Sequence, residues 1–284
     1  MKIFDALKIY PQYLLPQHFL SSIMHKVTRS RSTLFKNFAI NQVIKHFRVN
    51  MDDAVESDPS NFQTFNHFFT RALKADARPI NHMTKSIVSP VDGTISQIGK
   101  INHDQIFQAK GHQYSLQELL ANDAYCSKFI EGNFATIYLS PRDYHRIHNP
   151  ISGKLIRMIH VPGQLFSVNT ITTANVPNLF ARNERVISLF ETDVGLMAVI
   201  LVGAIFVSSI ETVWAGEVTP PSGKSIRTWQ YDDQPFFLNK GDELGRFNMG
   251  STAIILFETN KMNWENAQIA GRSVKMGELI GEQI

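Results

Sequence analysis

The feature that most constrains this chain is the run from Val194 to Ile210, which carries no charged residue. Its length is close to the lower limit of about 17 residues for a membrane span, so it is either a transmembrane helix or deeply buried structure. Val199-Ile200-Leu201-Val202 and Ile205-Phe206-Val207 are β-branched and aromatic, Gly195 and Gly203 punctuate them, and Glu191 and Glu211 flank them closely. These are the marks of two buried strands rather than a span. Membrane contact then has to come from the surface of the protein.

With 284 residues, 43% of them hydrophobic, the chain can bury a sizeable core, and it holds no internal repeat or low-complexity tract. A single cysteine, Cys126, excludes an intrachain disulfide and a multi-cysteine zinc cluster and fits a reducing compartment. No histidine adjoins it, so it reads as a partly buried thiol rather than a nucleophile. Asp5, Lys8, Pro11 and Pro16 interrupt every apolar run near the N-terminus before it reaches the length of a signal-peptide core, which favours the cytoplasm.

The formal charge of +3 is unevenly spread. Residues 1–50 hold eight Lys and Arg against Asp5 alone, a balance of +7, leaving 20 basic and 24 acidic residues, a balance of −4, to the remainder. In this basic arm Phe19, Leu20, Ile23, Met24 and Val27 recur at helical spacing, with Leu34, Phe35, Phe38 and Phe47 less regular, and Pro11 and Pro16 are expected to divide it into short pieces. An apolar face beside Lys and Arg describes a helix lying in a membrane interface, and equally a packed helix with a solvated basic face. The dispersed charges and the wealth of Phe, Leu and Ile argue against nucleic acid. A second helical stretch is expected over Asn61 to Leu73, with Phe62, Phe65, Phe68 and Phe69 in the core. After Pro79, short β-type runs such as Ala135 to Leu139 are separated by Gly, Pro and Asn. The expected fold class is α+β, with N-terminal amphipathic helices over residues 1–75 and a β-rich body over residues 76–284.

Three segments concentrate polar chemistry. Ser89-Pro90-Val91-Asp92-Gly93 frames an acid in a turn, Pro141-Arg142-Asp143-Tyr144-His145-Arg146-Ile147-His148-Asn149-Pro150 places two histidines between prolines, and Gly250-Ser251-Thr252 precedes the apolar run Ala253 to Phe257. The histidines are three apart and lack the neighbouring Glu of a zinc peptidase helix, so general acid–base work suits them better than metal. Asp92, His148 and Ser251 are also the parts of a hydrolase triad, although the Gly-x-Ser-x-Gly elbow is absent.

The whole set of motifs resembles the bacterial phosphatidylserine decarboxylases. The resemblance runs through Phe68-Phe69-Thr70-Arg71, Ala77-Arg78-Pro79, Ser89 to Gly93, Lys110-Gly111 with Tyr114-Ser115-Leu116, Leu139 to His148, Val161 to Asn169, Asn183-Glu184-Arg185, and Gly245-Arg246-Phe247-Asn248-Met249-Gly250-Ser251-Thr252. Met249 stands where that family commonly has Leu, an apolar exchange of similar volume. The resemblance implies a self-cleaving enzyme. Asp92 would orient His148, His148 would take the Ser251 hydroxyl proton, and the oxygen would attack the Gly250 carbonyl, turning an amide into an ester. Loss of the Ser251 α-proton would eliminate the ester, and hydrolysis of the resulting dehydroalanine would leave a pyruvoyl group. The products would be a β chain of residues 1–250 and an α chain of residues 251–284.

Phosphatidylserine would then form an imine with that ketone, lose CO2 and leave as phosphatidylethanolamine, with His145 protonating the carbanion and with Phe166 and Ser167 near the substrate. The resemblance further implies a barrel-sandwich-like body, a homodimer, and a peripheral position on the cytoplasmic face of the inner membrane, which favours the interface reading of the arm. The competing readings are a Ser-His-Asp hydrolase with an intact chain and a lipid-binding scaffold without turnover.

Overall fold

Three helices open the chain: α1 (Ile3–Leu14), α2 (Gln17–Thr28) and α3 (Thr33–Phe47). Pro16 precedes α2 and separates it from α1. Pro11, expected to break the arm, lies inside α1 instead. A proline costs the helix one hydrogen bond to the carbonyl four residues earlier, here that of exposed Leu7, where water can take its place. Arg48 ends α3 in the left-handed conformation at φ 55, its N–H returning to the Ile44 carbonyl. The computed structural model describes residues 3–207, 209–220, 223–232, 236–250 and 252–284.

The arm docks through Ile9 and Ile40 together with several polar side chains. The buried residues of α2 are Gln17, Ser21 and Thr28, and α3 buries Lys36 with Ile40, whereas Leu7, Tyr10, Leu14, Phe19, Leu34 and Phe38 are exposed. Lys36 is satisfied by Asn37 Oδ1 at 2.7 Å and the Ser60 carbonyl at 2.8 Å.

The stretch expected to be helical from Asn61 to Leu73 is α-helical only over α4 (Phe65–Phe69), Asn61 ending a short 3-10 turn, and α4 is capped by Thr64, whose hydroxyl accepts the His67 N–H at 3.1 Å. Thr70 folds its hydroxyl back onto the Asn66 carbonyl at 3.0 Å and the chain leaves the helix there. Phe62, Phe65, Phe68 and Phe69 are buried as expected, forming with Ile40 and Val49 a small core of their own.

The body is antiparallel. Its main sheet runs in the order Arg227–Gln230, Gly153–Val161, Arg185–Thr192, Gly195–Val202, Thr252–Phe257, Asn133–Tyr138, Gly93–Lys100 and Ser273–Val274, with Phe236–Leu238 also paired to Gly153–Val161. Thr252–Phe257 lies at its centre and is buried at every position, which is why the sequence there is continuously apolar rather than alternating. A second sheet orders Gly216–Thr219, Ile210–Thr212, Glu243–Phe247 and Arg146–His148. The architecture is thus α+β, helices first and sheets after. Among the described residues the main sheet stays open, so no closed barrel forms.

The uncharged run is half as predicted. Gly195–Val202 is a buried strand, but Ile205 and Phe206 form a turn, Phe206 is exposed at φ 68, and the next strand begins only at Ile210. β-branched composition there reflects an apolar environment at a cavity mouth rather than a strand. Cys126 is buried, and burial together with Asp104 and Asp123 pushes its thiol up, as suits an inert side chain.

Candidate active site

Glu243–Phe247 belongs to the smaller sheet and Thr252–Phe257 to the centre of the larger one, so Asn248, Met249 and Gly250 lead the chain out of the smaller sheet toward the larger. Ser251 itself lies outside the described residues. The approach to it is firmly held. Asn248 donates its backbone N–H to the Ser209 carbonyl at 3.0 Å, its side chain bonds the Ser209 hydroxyl, and its amide oxygen accepts from Asn66 at 3.0 Å. Met249 packs on the phenylalanine cluster around α4. Beyond Ser251, Thr252 pairs with Tyr138 on one side and Val202 on the other.

His145 stands at this crossing. Its carbonyl accepts the Phe247 N–H at 3.1 Å, and its Nε2 would lie 3.4 Å from a Cβ atom placed on Gly250. Phe69 covers the ring at 4.1 Å between centroids. Nδ1 donates to the Asp143 carbonyl at 2.8 Å, which leaves Nε2 as the lone-pair nitrogen of a neutral ring, and Nε2 has no partner among the described residues. Burial, helped by the nearby Arg71 charge, lowers its pKa to about 3, so the ring is neutral at ordinary pH.

His148 ends the short strand Arg146–His148 that follows His145, and lies opposite Glu243. Its Nδ1 donates to the Gly241 carbonyl at 2.8 Å and its Nε2 is 3.0 Å from the Tyr144 hydroxyl. Burial raises the Tyr144 pKa to about 12, so that hydroxyl is the donor. Burial also depresses the His148 pKa.

Asp92 is 1% exposed and is held by other groups than His148. Arg78 grips it with Nε at 2.8 Å and Nη2 at 2.6 Å, the Met276 N–H reaches it at 2.9 Å, and Lys275 Nζ at 3.3 Å. Burial alone would raise its pKa, but the bonds from Arg78 and Met276 outweigh that and hold the carboxyl below the usual carboxylate range. The Asp92 and His148 segments meet through backbone, the His148 N–H donating to the Pro90 carbonyl at 2.8 Å.

A largely apolar cavity of about 270 Å³ opens beside Gly250. Val43 and Phe47 of α3, Phe65 and Phe69 of α4, Ser167 to Asn169, and Ala204 to Phe206 line it. Ser167 therefore reaches the cavity. Phe166 points elsewhere, its ring packed 4.8 Å from Tyr13 and under the Arg182 guanidinium at 4.9 Å. The loop carrying both is tied to the arm: Gln17 Oε1 accepts the Leu165 N–H at 2.6 Å and Gln12 Oε1 the Ser167 N–H at 2.9 Å. Gly163 has no room for a side chain, since a Cβ would meet the Arg182 carbonyl at 2.5 Å.

A catalytic-looking crossing beneath an apolar cavity narrows the chemistry, and comparison with known proteins decides the kinship. The sequence model described as Phosphatidylserine decarboxylase matches residues 65–282, and a second, described as PSD, matches residues 7–48. The chain belongs to the phosphatidylserine decarboxylase family. A phosphatidylserine decarboxylase proenzyme of Azotobacter vinelandii is 51% identical to it over 282 residues, covering 98% of each chain. That of Methylococcus capsulatus is 54% identical over 271 residues, covering 95% of this chain and 94% of its own. That of Vibrio cholerae is 49% identical over 283 residues, covering 98% and 99%.

Residue patterns alone missed three groups in this member of the phosphatidylserine decarboxylase family. Arg78 is the principal partner of Asp92, and Tyr144 is the partner of His148. Arg71 is buried beside His145, and among the described residues its acceptor is the Arg142 carbonyl, at 3.1 Å, while its Nε and Nη1 have none. Arg71 and Arg78 sit inside the motifs that carry the family resemblance, and an arginine amid Phe and Pro was the available signal.

Proposed function

We propose that this chain is the proenzyme of a decarboxylase that converts phosphatidylserine to phosphatidylethanolamine and CO2, using a pyruvoyl group made from its own Ser251. The observation that carries the reading is the open Nε2 of a neutral, buried His145 beside Gly250, where the chain passes from the smaller sheet to the centre of the larger one beside an apolar cavity. A pyruvoyl group at position 251 would supply the electron sink that accepts the pair released with CO2. The residues present fit such a group, because a ring nitrogen with no partner among the described residues lies beside Gly250, the residue before Ser251.

His145 holds a proton-accepting nitrogen beside Gly250, and it is the group proposed to take up a proton at Nε2 and pass it to the carbanion left by CO2. His148 and Asp92 are proposed to serve self-cleavage. His148 can act as a base on Ser251 only after the Tyr144 hydroxyl has given up Nε2, and Asp92 acts with Arg78 as a fixed charge behind it. Ser167 is proposed to meet the polar head group at the cavity wall, and Phe166 to support that loop from behind through Tyr13 and Arg182.

Cleavage between Gly250 and Ser251 would leave the fragments joined. Residues 251–284 contribute the central strand Thr252–Phe257, paired on both edges, and three more strands at Met262–Trp264, Ser273–Val274 and Leu279–Gln283. No helix is long and apolar enough to cross a membrane among the described residues, so contact with phosphatidylserine in the bilayer is proposed through the arm, peripherally, on the cytoplasmic face of the inner membrane. The division at residues 75 and 76, the homodimer and the barrel-sandwich kinship of the body belong to this proposal through the family resemblance.

Intact mass and CO2 release test it together. The parent chain is expected as two fragments parting at Gly250, with CO2 released from phosphatidylserine, and Ser251→Ala as one uncleaved, inactive chain. His145→Ala is expected to cleave at least in part and to release no CO2. A full-length parent with an acylatable Ser251 would replace the decarboxylase with a hydrolase.

A further inference from the structure

Phe206 occupies a position that its backbone does not favour. The Val207 N–H closes a turn onto the Ala204 carbonyl at 2.9 Å, and Phe206, the third residue of that turn, has φ 68, a value that ordinarily selects Gly or Asn. Nothing in the core explains the choice, because the residue is 43% exposed. An aromatic residue kept in left-handed backbone and turned toward solvent marks a functional rather than a packing requirement.

The location supplies the requirement. Ala204, Ile205 and Phe206 form one wall of the cavity that reaches Gly250, and Val43 and Phe47 of α3 form another. Farther along α3, Leu34 is 87% and Phe38 66% exposed. Apolar exposure is therefore found on both sides of the cavity mouth, on an N-terminal helix and on a turn of the body more than 150 residues later. Only a partner that is itself apolar, wide and able to continue into the cavity matches both sides at once.

We infer that the Ala204–Val207 turn is a second membrane-contact point, with Phe206 inserted into the acyl region of the bilayer opposite α3, so that a lipid passes from the bilayer to Gly250 between two apolar lips. The inference rests on the lipid-substrate reading above. It assigns the bilayer to a surface of the body, in addition to the arm.

The full chain carrying Phe206→Trp, mixed with vesicles of phosphatidylglycerol and brominated phosphatidylcholine, tests this. Trp214, Trp229 and Trp264 give the background, measured on the parent. The added emission is expected to shift to the blue and to be quenched by the bromolipid. Phe206→Gly, which relieves the backbone instead of straining it, is expected to weaken vesicle partitioning about fivefold. It should also lower turnover of vesicle-borne phosphatidylserine more than turnover of a soluble short-chain analogue.

Added emission that is insensitive to the bromolipid overturns the inference, whether or not the protein sediments with the vesicles, as does unchanged partitioning of Phe206→Gly. Emission already blue-shifted without vesicles, in a species with the mass of two chains, would give the turn to a second copy instead. Quenching in a protein that releases no CO2 would keep the membrane contact and remove the decarboxylase reading, so the two fail separately.

Discussion

The arm and the body treat apolar side chains in opposite ways. In the body, Thr252–Phe257 and Val199 to Val202 are wholly buried, and the buried carboxylate Asp92 is paired by Arg78 and Met276. In the arm, Gln12, Gln17, Ser21 and Lys36 face inward while Leu14, Phe19, Leu34 and Phe38 face out. The body is held by burial; the arm buries Ile9 and Ile40, is attached as well by hydrogen bonds such as that between Gln17 and Leu165, and leaves much of its hydrophobic surface for another solvent. Substitutions of the same kind should therefore have different costs in the two regions.

The largest effect is expected where the body buries a charge. Asp92→Ala, made in the uncleavable Ser251→Ala chain, leaves Arg78 and the Met276 N–H facing an absent carboxylate, a change that costs about 3–5 kcal/mol. Urea unfolding measures it, and a loss under about 1 kcal/mol would show that Asp92 contributes only to chemistry. Next comes plain burial: Leu256→Ala in the central strand, fully buried, is expected to cost about 2–5 kcal/mol. If Leu34→Ala in α3 cost as much, the contrast between the regions would be gone.

An intermediate effect should appear with pH, and its sign follows from the buried histidines. The folded His145 pKa of about 3 lies below the ordinary 6.5, so between these values the unfolded chain binds the extra proton. Stability is complete above pH 6.5 and declines as pH falls toward 3, by roughly 2 kcal/mol at pH 5 from this ring alone. His148, also depressed, acts in the same direction, and Asp92 adds a further loss only below the ordinary carboxylate range. Unfolding midpoints from pH 7 to pH 5 check this. His145→Gln should flatten the slope, and an unaltered slope would place the titration elsewhere.

How much could be read from residues alone follows the same division. Strands buried on both faces announce themselves as continuous apolar runs, so Ala253 to Phe257 and Val199 to Val202 were legible. The arm was legible as amphipathic helix, but not which face is covered, because Gln12 and Gln17 become interior only through the Leu165 and Ser167 N–H groups, which lie far away in sequence. Ile205 to Val207 looked like a strand because composition reports an apolar surrounding and not its geometry. The Pro-bounded histidines marked the site region. The ion pair of Arg78 with Asp92, and the hydrogen bond that turns His148 toward Tyr144, depend on how separate segments meet, which no local pattern encodes.

The smallest stability change and the sharpest test of the contrast come from one residue. Phe38 lies on α3, is 66% exposed, and has little packing to lose in the free protein. Phe38→Ser should alter unfolding free energy by no more than about 0.5 kcal/mol, as at ordinary surface positions. On vesicles containing anionic lipid the same change removes a ring from the apolar face and should weaken binding about tenfold, because burying a phenylalanine side chain is worth about 1.5–3 kcal/mol. Unfolding in solution and co-sedimentation with vesicles read the two quantities on one protein. A large stability loss with unchanged sedimentation would mean that the outward face of the arm is covered by protein, and that arm and body obey the same rule after all.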